Sequence, residues 1–588
     1  MGAATADESK PSLAEIDGSL TAVGAPFEMQ SLCLDGVPVR AYKATPTSLR
    51  ALIEASQVWD DKDFIVYDSE RWSFSQHYNA VTRLAHELVH RYKVKPGDRV
   101  AIIMRNLPEW SIAFWAITSV GAVVVPLNAW WLAPELEYAL TDSGALAAII
   151  DGERYQALDV FFEASTACVP IVTRAHSGCP ESVCRLEEIV GSPGRALPVA
   201  GQPMPPCDIQ PDDLATLFYT SGTTGRPKGA LGTHRAACTS IMNTRVAIAR
   251  ASIRPAASTS GPPPTPIARA LLISTPLFHV IACFAQLLPA LADGSKLVIM
   301  YKWDPRRALE LIQDEGITNF SGVPTMVMEA LEVVTTTSYD LSTLRTITYG
   351  GSSSPRELVA RSRDLLPVTY PSTGYGLTET AGVVASVGGG DYVARPSSAG
   401  YPLPVVDVII ERPDGAEASV GDLGQVKIRA PGLMRKYWND PTATASAIVD
   451  GWYYSGDVGH LDEQGFLYIV DRVKDIIIRG GENIYSKEVE NELLQHTDVA
   501  DAAVIGLPHP TLGEIVAAVV ATKPPHAVTE AILRDFLAPR LARYKQPARI
   551  HLRATGLPRN LGGKIQKNLL RAELVEFREN TALTREQD

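Results

Sequence analysis

The segment at 217–230 combines the residue types that bind phosphate. It reads Leu-Phe-Tyr-Thr-Ser-Gly-Thr-Thr-Gly-Arg-Pro-Lys-Gly-Ala, so an apolar run leads into four Ser/Thr hydroxyls, three glycines and one lysine. Glycine lets the backbone approach a ligand closely and adopt positive φ, and successive amide groups can then surround an anion. The hydroxyls add hydrogen-bond donors, and Lys228 adds a positive charge. This composition predicts a loop that binds a polyphosphate.

The loop is not a Walker A motif. That motif needs Gly, four residues and then Gly-Lys-Ser/Thr, whereas Lys228 follows Pro227 and precedes Gly229. Composition alone favours the alternative interpretation, a flexible loop of small polar residues that binds no ligand. The polyphosphate hypothesis assigns the contacts to Thr220, Ser221, Gly222, Thr223, Thr224, Gly225 and Lys228.

The complete fourteen-residue string resembles the signature of the adenylate-forming superfamily. This superfamily includes acyl-CoA synthetases, aryl-CoA ligases, luciferases and peptide-synthetase adenylation domains, and the chain looks most like a fatty acyl-CoA synthetase. The resemblance covers about residues 50–575, with further matching segments in the family's order. These segments are 275–279 (TPLFH), 349–353 (YGGSS), 374–380 (GYGLTET), 451–457 (GWYYSGD), 471–475 (DRVKD), 480–484 (GGENI) and 558–565 (PRNLGGKI).

The resemblance implies how ATP and Mg²⁺ would bind. The turn with Gly351 and Ser352 would hold adenine, and the ring of Tyr375 would stack on it. Thr378 would contact the α-phosphate, and Glu379 would bind Mg²⁺. Thr378 and Glu379 are therefore candidate catalytic residues as well as nucleotide ligands. Each of these residues also has a purely structural interpretation, such as a helix start for Thr378 or a core position for Tyr375.

The resemblance also implies a division of labour near the C-terminus. Asp457 and Arg472 would contact the ribose hydroxyls, and Lys474 would be the hinge of a mobile domain. Lys564 would be the catalytic lysine of adenylate formation, and Gly481 would contact the pantetheine of coenzyme A in the second step. Rotation about the hinge would exchange the Lys564 face for the Gly481 face between the two half-reactions.

The segment at 275–279 resembles the lining of the family's acyl pocket. His279 is a candidate catalytic residue there, although a histidine in an apolar stretch is more often a satisfied core residue. Members that activate amino acids carry an acidic anchor near this segment, but residues 278–282 read Phe-His-Val-Ile-Ala. The sequence therefore predicts a simple carboxylic acid as substrate. A medium- to long-chain fatty acid is the first expectation, and an aryl or polycyclic acid is the alternative.

Several rival functions share these motifs. A fatty acyl-AMP ligase stops at the adenylate, and the thiol acceptor of a full ligase is either coenzyme A or a carrier protein. A luciferase-like oxygenase is a further rival. A non-catalytic nucleotide-binding protein would keep Asp457 and Tyr375 but would need neither Lys564 nor Glu379, and both are present.

Composition limits the partners and the compartment. The 588 residues carry a formal net charge of −12, which argues against a nucleic-acid-binding protein. Seven scattered cysteines without a CxxC pair favour a reducing compartment, and the first residues show no secretory signal, so we expect a cytoplasmic protein. The charge-free stretches 110–134 and 270–292 are interrupted by prolines and predict buried elements rather than membrane spans. Peripheral membrane association and the oligomeric state stay open.

Alternating strand and helix patterns predict an α/β fold. Apolar residues from Tyr78 to Tyr92 indicate a helix with Ser75 as its N-cap, and Arg99–Met104 reads as a buried parallel strand. The predicted organisation has an N-terminal arm, a large adenylation domain of parallel α/β subdomains with a β-rich subdomain, and a small mobile α+β C-terminal domain. Their predicted ranges are 1–45 for the loose arm, 46–473 for the adenylation domain, about 400–473 for its β-rich part and 474–588 for the C-terminal domain.

Overall fold

The computed structural model describes residues 11–575 except for 166, 177, 193–194, 197–202, 221–225, 255–266, 352–355, 367–368, 526–527 and 560–563. The chain divides into two compact units. Unit 1 comprises residues 1–407 and 428–453, and unit 2 comprises residues 408–427 and 454–588. The domain limits expected from the sequence stay predictions.

Unit 1 contains two large, mainly parallel sheets. The first has the strand order Lys436–Tyr437, Lys228–Thr233, Leu214–Thr220, Val123–Pro126, Arg99–Ile103, Ala147–Asp151, Val169–Thr173 and Cys184–Arg185. The second has the order Tyr401–Pro402, Gly382–Gly388, Tyr370–Leu377, Thr346–Tyr349, Asn319–Gly322, Ala270–Ile273, Lys296–Ile299, Asp63–Tyr67 and Glu70–Ser73. Antiparallel strands lie at the ends of this second sheet, and its centre is parallel.

Helices and short hairpins complete unit 1. The described helices are Leu13–Thr21, Leu49–Ala55, Phe74–His90, Pro108–Ser119, Ala133–Ser143, Gly152–Ala157, Asp159–Ala164, Leu186–Val190, His234–Ile253, Val280–Ala282, Leu288–Asp293, Pro305–Glu315, Pro324–Val334, Arg356–Leu365, Gly389–Ala394 and Pro441–Ala447. A π-helical turn occupies Cys283–Leu287. The hairpins pair Met29–Leu34 with Val37–Tyr42, Gly191–Ser192 with Arg195–Ala196, and Ile448–Val449 with residues 452–453.

Unit 2 contains two sheets and has its own core. Strands Asp407–Glu411, Gly424–Arg429, Trp452–Leu461 and Leu467–Arg472 supply the first sheet. The second has the order Glu482–Ile484, Ile477–Arg479, Gly513–Thr522 and Val499–His509, with Arg549–Arg553 parallel to Gly513–Thr522. Helices Ser486–Leu493 and Glu530–Leu537 and the helical residues 567–575 accompany it. Alternate residues of Val499–His509 enter two separate apolar clusters, so both faces of this strand are covered.

The charge-free stretches are core elements, as predicted. Every residue of the helix Pro108–Ser119 and of the strand Val123–Pro126 is buried. In the part of the chain that the structure describes, no helix combines the length and apolar character needed to cross a membrane. The predicted α/β class is confirmed, and the two large sheets explain the run of buried apolar strands.

Two local predictions are wrong. The helix predicted from Ser75 begins at Phe74, and its N-cap is Ser73, which forms a capping box with Gln76. The sequence rule failed because two serines satisfy the same pattern, and the side chain of Ser75 instead bonds Asp61. The second error concerns the N-terminal arm, whose described residues form a capped helix, Leu13–Thr21, and a hairpin rather than a loose segment.

The N-terminal helix is fixed by a buried ion pair. The guanidinium of Arg250, with a side chain only 5% exposed, binds the carboxylate of Asp17 through two nitrogens. The same guanidinium also donates to the carbonyl of Pro402. This contact joins the N-terminal helix to His234–Ile253, and a sequence pattern read along one segment could not reveal it. The low-complexity sequence at 254–266 favours a surface loop, but apart from Arg254 it lies outside the described residues.

The capping box gives a stability prediction. We expect Ser73→Ala to lower the free energy of unfolding of unit 1 by about 1 kcal/mol, because the amide of Gln76 loses its acceptor. The matched control Ser75→Ala removes a hydroxyl outside the capping position and should cost less. Urea unfolding of both variants measures the difference, and a larger loss for Ser75→Ala would contradict the assignment of the cap.

Candidate active site

The carboxyl ends of parallel strands in unit 1 gather several of the predicted site segments. Strand register aligns Ile273 with Ser321, Gly322 with Tyr349, and Tyr349 with Thr373. The segments that continue from these ends include 275–279, the turn with Gly351, and the run 375–379. In open α/β sheets, ligands bind in the crevice outside these strand ends. The arrangement therefore favours a ligand site at this edge of the sheet.

A close backbone approach shapes the end of the strand that carries Tyr375. A Cβ atom on Gly376 would lie 1.9 Å from the carbonyl oxygen of Gly382, so the chain needs glycine here. The strand register shifts between Tyr375 and Gly376, and the 3₁₀ turn Thr378–Thr380 follows. Tyr375 and Thr378 are partly exposed. The predicted adenine and α-phosphate contacts are thus accessible at the strand end.

The predicted phosphate loop joins two paired strands. Leu214–Thr220 and Lys228–Thr233 run antiparallel, with Thr220 opposite Lys228 at the end from which the loop extends. The hydroxyl of Thr220 donates to the carbonyl of Lys228 over 3.4 Å. The remaining predicted loop residues, Ser221, Gly222, Thr223, Thr224 and Gly225, lie outside the described residues, as does Ser352 of the predicted adenine turn.

The side chain of Lys228 is held by two partners. Its Nζ lies 3.2 Å from an oxygen of Asp440 and 5.6 Å from the ring centroid of Tyr437. The Ala443 amide, together with the Lys228 ammonium, lowers the pKa of the Asp440 carboxyl. A lysine oriented in this way presents a fixed positive charge next to the loop, which suits a polyphosphate ligand.

Glu379, the predicted metal ligand, is nearly buried and has a phenol donor. Glu379 is 9% exposed, and the hydroxyl of Tyr437 donates a hydrogen bond to its Oε1 over 2.8 Å. The neighbouring Tyr453 is also buried, and burial followed by the negative charge of Glu379 raises its pKa far above the ordinary value. The site therefore contains an oriented carboxylate in an environment that strengthens its electrostatic interactions.

Tyr437 is a site residue that no sequence motif predicts. It contacts Glu379 through its hydroxyl and Lys228 through its ring, and so joins the predicted metal ligand to the predicted phosphate lysine. Pairing of Tyr437 with Ala230 in the first sheet places it there. No spacing in the sequence announces this contact, because it depends on a strand pair between distant segments.

His279 lies at the start of a short helix next to aromatic rings. Its carbonyl oxygen accepts the amides of Ala282 and Cys283, and its ring centroid is 4.8 Å from that of Phe278. Phe278 packs edge-on against Trp130. These contacts place His279 in the predicted acyl segment, and its catalytic role stays a prediction.

Unit 2 contains the predicted ribose contacts and the predicted hinge. Asp457 is 3% exposed and lies opposite Arg472 in an antiparallel pair, with 2.9 Å between Oδ1 and Nε. The two residues predicted to contact the ribose are therefore brought together. Lys474 lies in the 3₁₀ turn Val473–Asp475, directly after this strand, and is exposed.

Gly481 and Lys564 lie on different segments of unit 2. Gly480 and Gly481 form a two-residue turn between Ile477–Arg479 and Glu482–Ile484, with φ values of +61° and +89°. This conformation favours glycine at both positions. Lys564 is exposed and precedes Ile565, which bridges to Arg559.

Comparisons with known proteins identify the family of this chain. Residues 52–438 match the family described as AMP-binding enzyme, and residues 488–564 match the AMP-binding enzyme C-terminal domain. A feruloyl-CoA synthase from Amycolatopsis sp is 36% identical over 84% of this chain and 91% of its own length. The long-chain-fatty-acid–CoA ligase FadD13 from Mycobacterium tuberculosis is 32% identical over 86% of this chain and 93% of its own. ATP-bound MatB from Rhodopseudomonas palustris has a TM-score of 0.77 and 27% identity, covering 90% of this chain and 98% of MatB.

The chain therefore belongs to the AMP-binding enzyme family. It is an acyl-CoA synthetase, and the resemblance to the adenylate-forming superfamily is confirmed. The names of the relatives differ in the acid, so they define the class of reaction more closely than the substrate.

A double-mutant cycle tests the bond between Tyr437 and Glu379. We expect Tyr437→Phe and Glu379→Gln to show a coupling of about 1–3 kcal/mol in urea unfolding, because the phenol donates to a buried carboxylate. Pairing Tyr437→Phe with Glu329→Gln, whose carboxylate binds Trp303 instead, should give additive losses within about 0.5 kcal/mol. Additivity in the first cycle would show that the tyrosine does not fix the carboxylate.

Proposed function

We propose that this chain is an ATP-dependent carboxylic acid:CoA ligase that forms an acyl-adenylate and then a thioester. The observation that carries the proposal is the arrangement in which Tyr437 contacts both Glu379 and Lys228 beside the predicted phosphate loop. A buried carboxylate and an oriented lysine at one point suit a triphosphate with its cation. The related CoA ligases support this reaction class.

The first step is attack of the acid's carboxylate oxygen on the α-phosphorus of ATP, with pyrophosphate leaving. Both reactants are anions, so the barrier is largely electrostatic and needs no general base. Fixed cations and oriented donors lower such a barrier. In our proposal Lys564 bridges the acyl carboxylate and the α-phosphate, while Lys228 and the loop that starts at Thr220 hold the departing pyrophosphate.

The residues present fit one Mg²⁺ that is shared with the nucleotide. Magnesium prefers oxygen ligands and is often bound by one or two carboxylates together with phosphates and water. Glu379 supplies such a carboxylate, and within the described ranges no group of three or more His, Cys, Asp or Glu side chains could hold a metal by itself. When bound, the ion would neutralise phosphate charge. The role of Glu379 here is to position that charge.

The nucleoside contacts follow the same logic. Asp457 can accept hydrogen bonds from the two ribose hydroxyls, since Arg472 already orients its carboxylate. We propose that Tyr375 and the turn at Gly351 contact adenine and that Thr378 contacts the α-phosphate. Asp457 is 3% exposed, which supports a preorganised acceptor rather than a mobile surface carboxylate.

The second step is attack of a thiolate on the acyl carbon, with AMP leaving. Lys564 and Gly481 lie on separate segments of unit 2, which agrees with separate roles in the two half-reactions. We propose that Gly481 contacts the pantetheine and that Lys474 acts as the hinge. Coenzyme A is the proposed acceptor, and a carrier protein is the alternative.

For the acid, we propose an apolar carboxylic acid, with a medium- to long-chain fatty acid first and an aryl or polycyclic acid as the alternative. Residues 278–282 contain no acidic side chain that could bind an amine. Phe284 is buried, packs edge-on against Phe218 with centroids 5.2 Å apart, and lies near Gly382. The two named relatives act on one acid of each kind, so they leave this choice to experiment.

We propose a cytoplasmic location for the enzyme.

A panel of acids tests the function directly. We expect purified enzyme with ATP, Mg²⁺ and CoA to release AMP with one or more apolar acids, such as dodecanoate, hexadecanoate or ferulate, and to form the matching acyl-CoA. Mass spectrometry of the products identifies the preferred acid. Release of pyrophosphate without AMP, with the acyl-adenylate as the final product, would instead indicate a fatty acyl-AMP ligase, and nucleotide binding without turnover of any acid would contradict the proposal.

Lys564→Ala tests the division between the half-reactions. We expect acid-dependent exchange of pyrophosphate into ATP to fall at least about 100-fold, because the cation between the two anions is lost. Thioester formation from supplied acyl-adenylate and CoA should stay within about threefold of wild type. Equal loss in both assays would argue that Lys564 has no step-specific role.

A further inference from the structure

A buried polar network in unit 2 lies next to the segment that carries Lys564. Lys567, three residues after it, has a side chain 18% exposed, and its Nζ lies 2.7 Å from Oε1 of Glu490. The same ammonium donates to the hydroxyl of Ser486 over 2.6 Å. Ser486 is fully buried and donates in turn to Oδ2 of Asp471 over 2.8 Å.

Each acidic member of this network is also fixed by the backbone. Oε1 of Glu490, on a residue 3% exposed, accepts the amide of Val504. Oδ1 of Asp471, on a residue 7% exposed, accepts the amide of Arg472. The network therefore connects the strand end that bears the predicted ribose contact and hinge with the segment of Lys564. A buried ion pair whose polar groups all have hydrogen-bond partners connects its two segments rigidly. Removal of one partner destabilises the folded protein.

The other end of the Lys564 segment is anchored as well. Arg559 Nη2 lies 2.7 Å from Oδ2 of Asp501, and Arg559 bridges to Ile565 through the backbone. The amide of Gln566 donates to the carbonyl of Pro558. Lys564 itself is exposed, and these anchors hold the segment that carries it. Lys567 and Lys564 are three residues apart, which is at most about 10 Å of chain, so a displacement of Lys567 also displaces Lys564.

We propose that Lys567 is a positioning residue for Lys564. Through Glu490, Ser486 and Asp471, it connects the segment of Lys564 to the strand Leu467–Arg472, which directly precedes the predicted hinge. This inference rests on the proposed role of Lys564 in adenylate formation. Without the Lys567 ammonium, Glu490 keeps the amide of Val504, and Asp471 keeps Ser486 and backbone amides. Glu490 and Ser486 lose one bond each but keep their other partners, whereas the segment of Lys564 loses its anchor to this network. The effect should therefore fall on the first half-reaction.

The main variant is Lys567→Met, which keeps length and removes charge. We expect kcat of acid-dependent pyrophosphate exchange to fall at least about tenfold, with KM for ATP and thioester formation from supplied acyl-adenylate within about twofold of wild type. Lys567→Arg restores the charge and should recover exchange to within about threefold. A split between kcat and KM, together with rescue by arginine, distinguishes positioning from a general loss of stability.

The matched control is Lys545→Met. Lys545 makes an ion pair with the more exposed Glu488 of the same helix, with 2.8 Å to both carboxylate oxygens, but belongs to another segment. Its exchange rate should stay within about twofold of wild type. If Lys567→Met does not fold, Ser486→Ala decides instead, and we expect exchange to fall about threefold or more while thioester formation is kept.

Three results would overturn the inference: unchanged exchange in a folded Lys567→Met or, where that variant fails to fold, in Ser486→Ala; equal losses in both half-reactions; or the same loss in Lys545→Met. Failure of the proposed function is a separate outcome. It would appear as wild-type enzyme that exchanges no pyrophosphate with any acid, whereas an active wild type with an unaffected variant refutes the positioning role alone.

Discussion

Electrostatic repulsion between two anions is the constraint on which the proposed reaction depends. In that reaction a carboxylate must approach the α-phosphate of ATP, and like charges a few ångströms apart repel strongly wherever water is excluded. The protein can offset this repulsion only with positive charges and donors that are fixed beforehand. In unit 1, Asp440 and the ring of Tyr437 orient Lys228. The hydroxyl of the same tyrosine orients Glu379, so Tyr437 contributes to the position of both charged groups.

Unit 2 also holds charged side chains in fixed positions, but through other contacts. Asp457 is oriented by Arg472 through a strand pair, and the segment of Lys564 is anchored by ion pairs on both sides. The glycines of the 480–481 turn provide a surface without side chains on another segment. The role proposed for Lys564 requires rigid anchoring within the unit, because a flexible ammonium would lose its electrostatic advantage to conformational entropy.

The sequence predicted the fold class and the sheet strands because their apolar runs are local signals. Buried strands such as Arg99–Ile103 read directly from composition, and the ordered motifs indicated the family. The cap at Ser73 was missed because two neighbouring serines fit one rule. Tyr437 and the Lys567 network were missed for a deeper reason, since their partners are distant in the sequence and meet only through strand pairing or helix packing.

The most direct test of the account follows an oxygen atom. The acid found to release AMP is supplied with both carboxylate oxygens labelled with ¹⁸O, and the products are analysed by mass spectrometry. Attack of the carboxylate on the α-phosphate predicts one ¹⁸O in the phosphate of each AMP and one in the acyl product. AMP without label, or ADP with labelled inorganic phosphate, would contradict the central claim that an acyl-adenylate is formed.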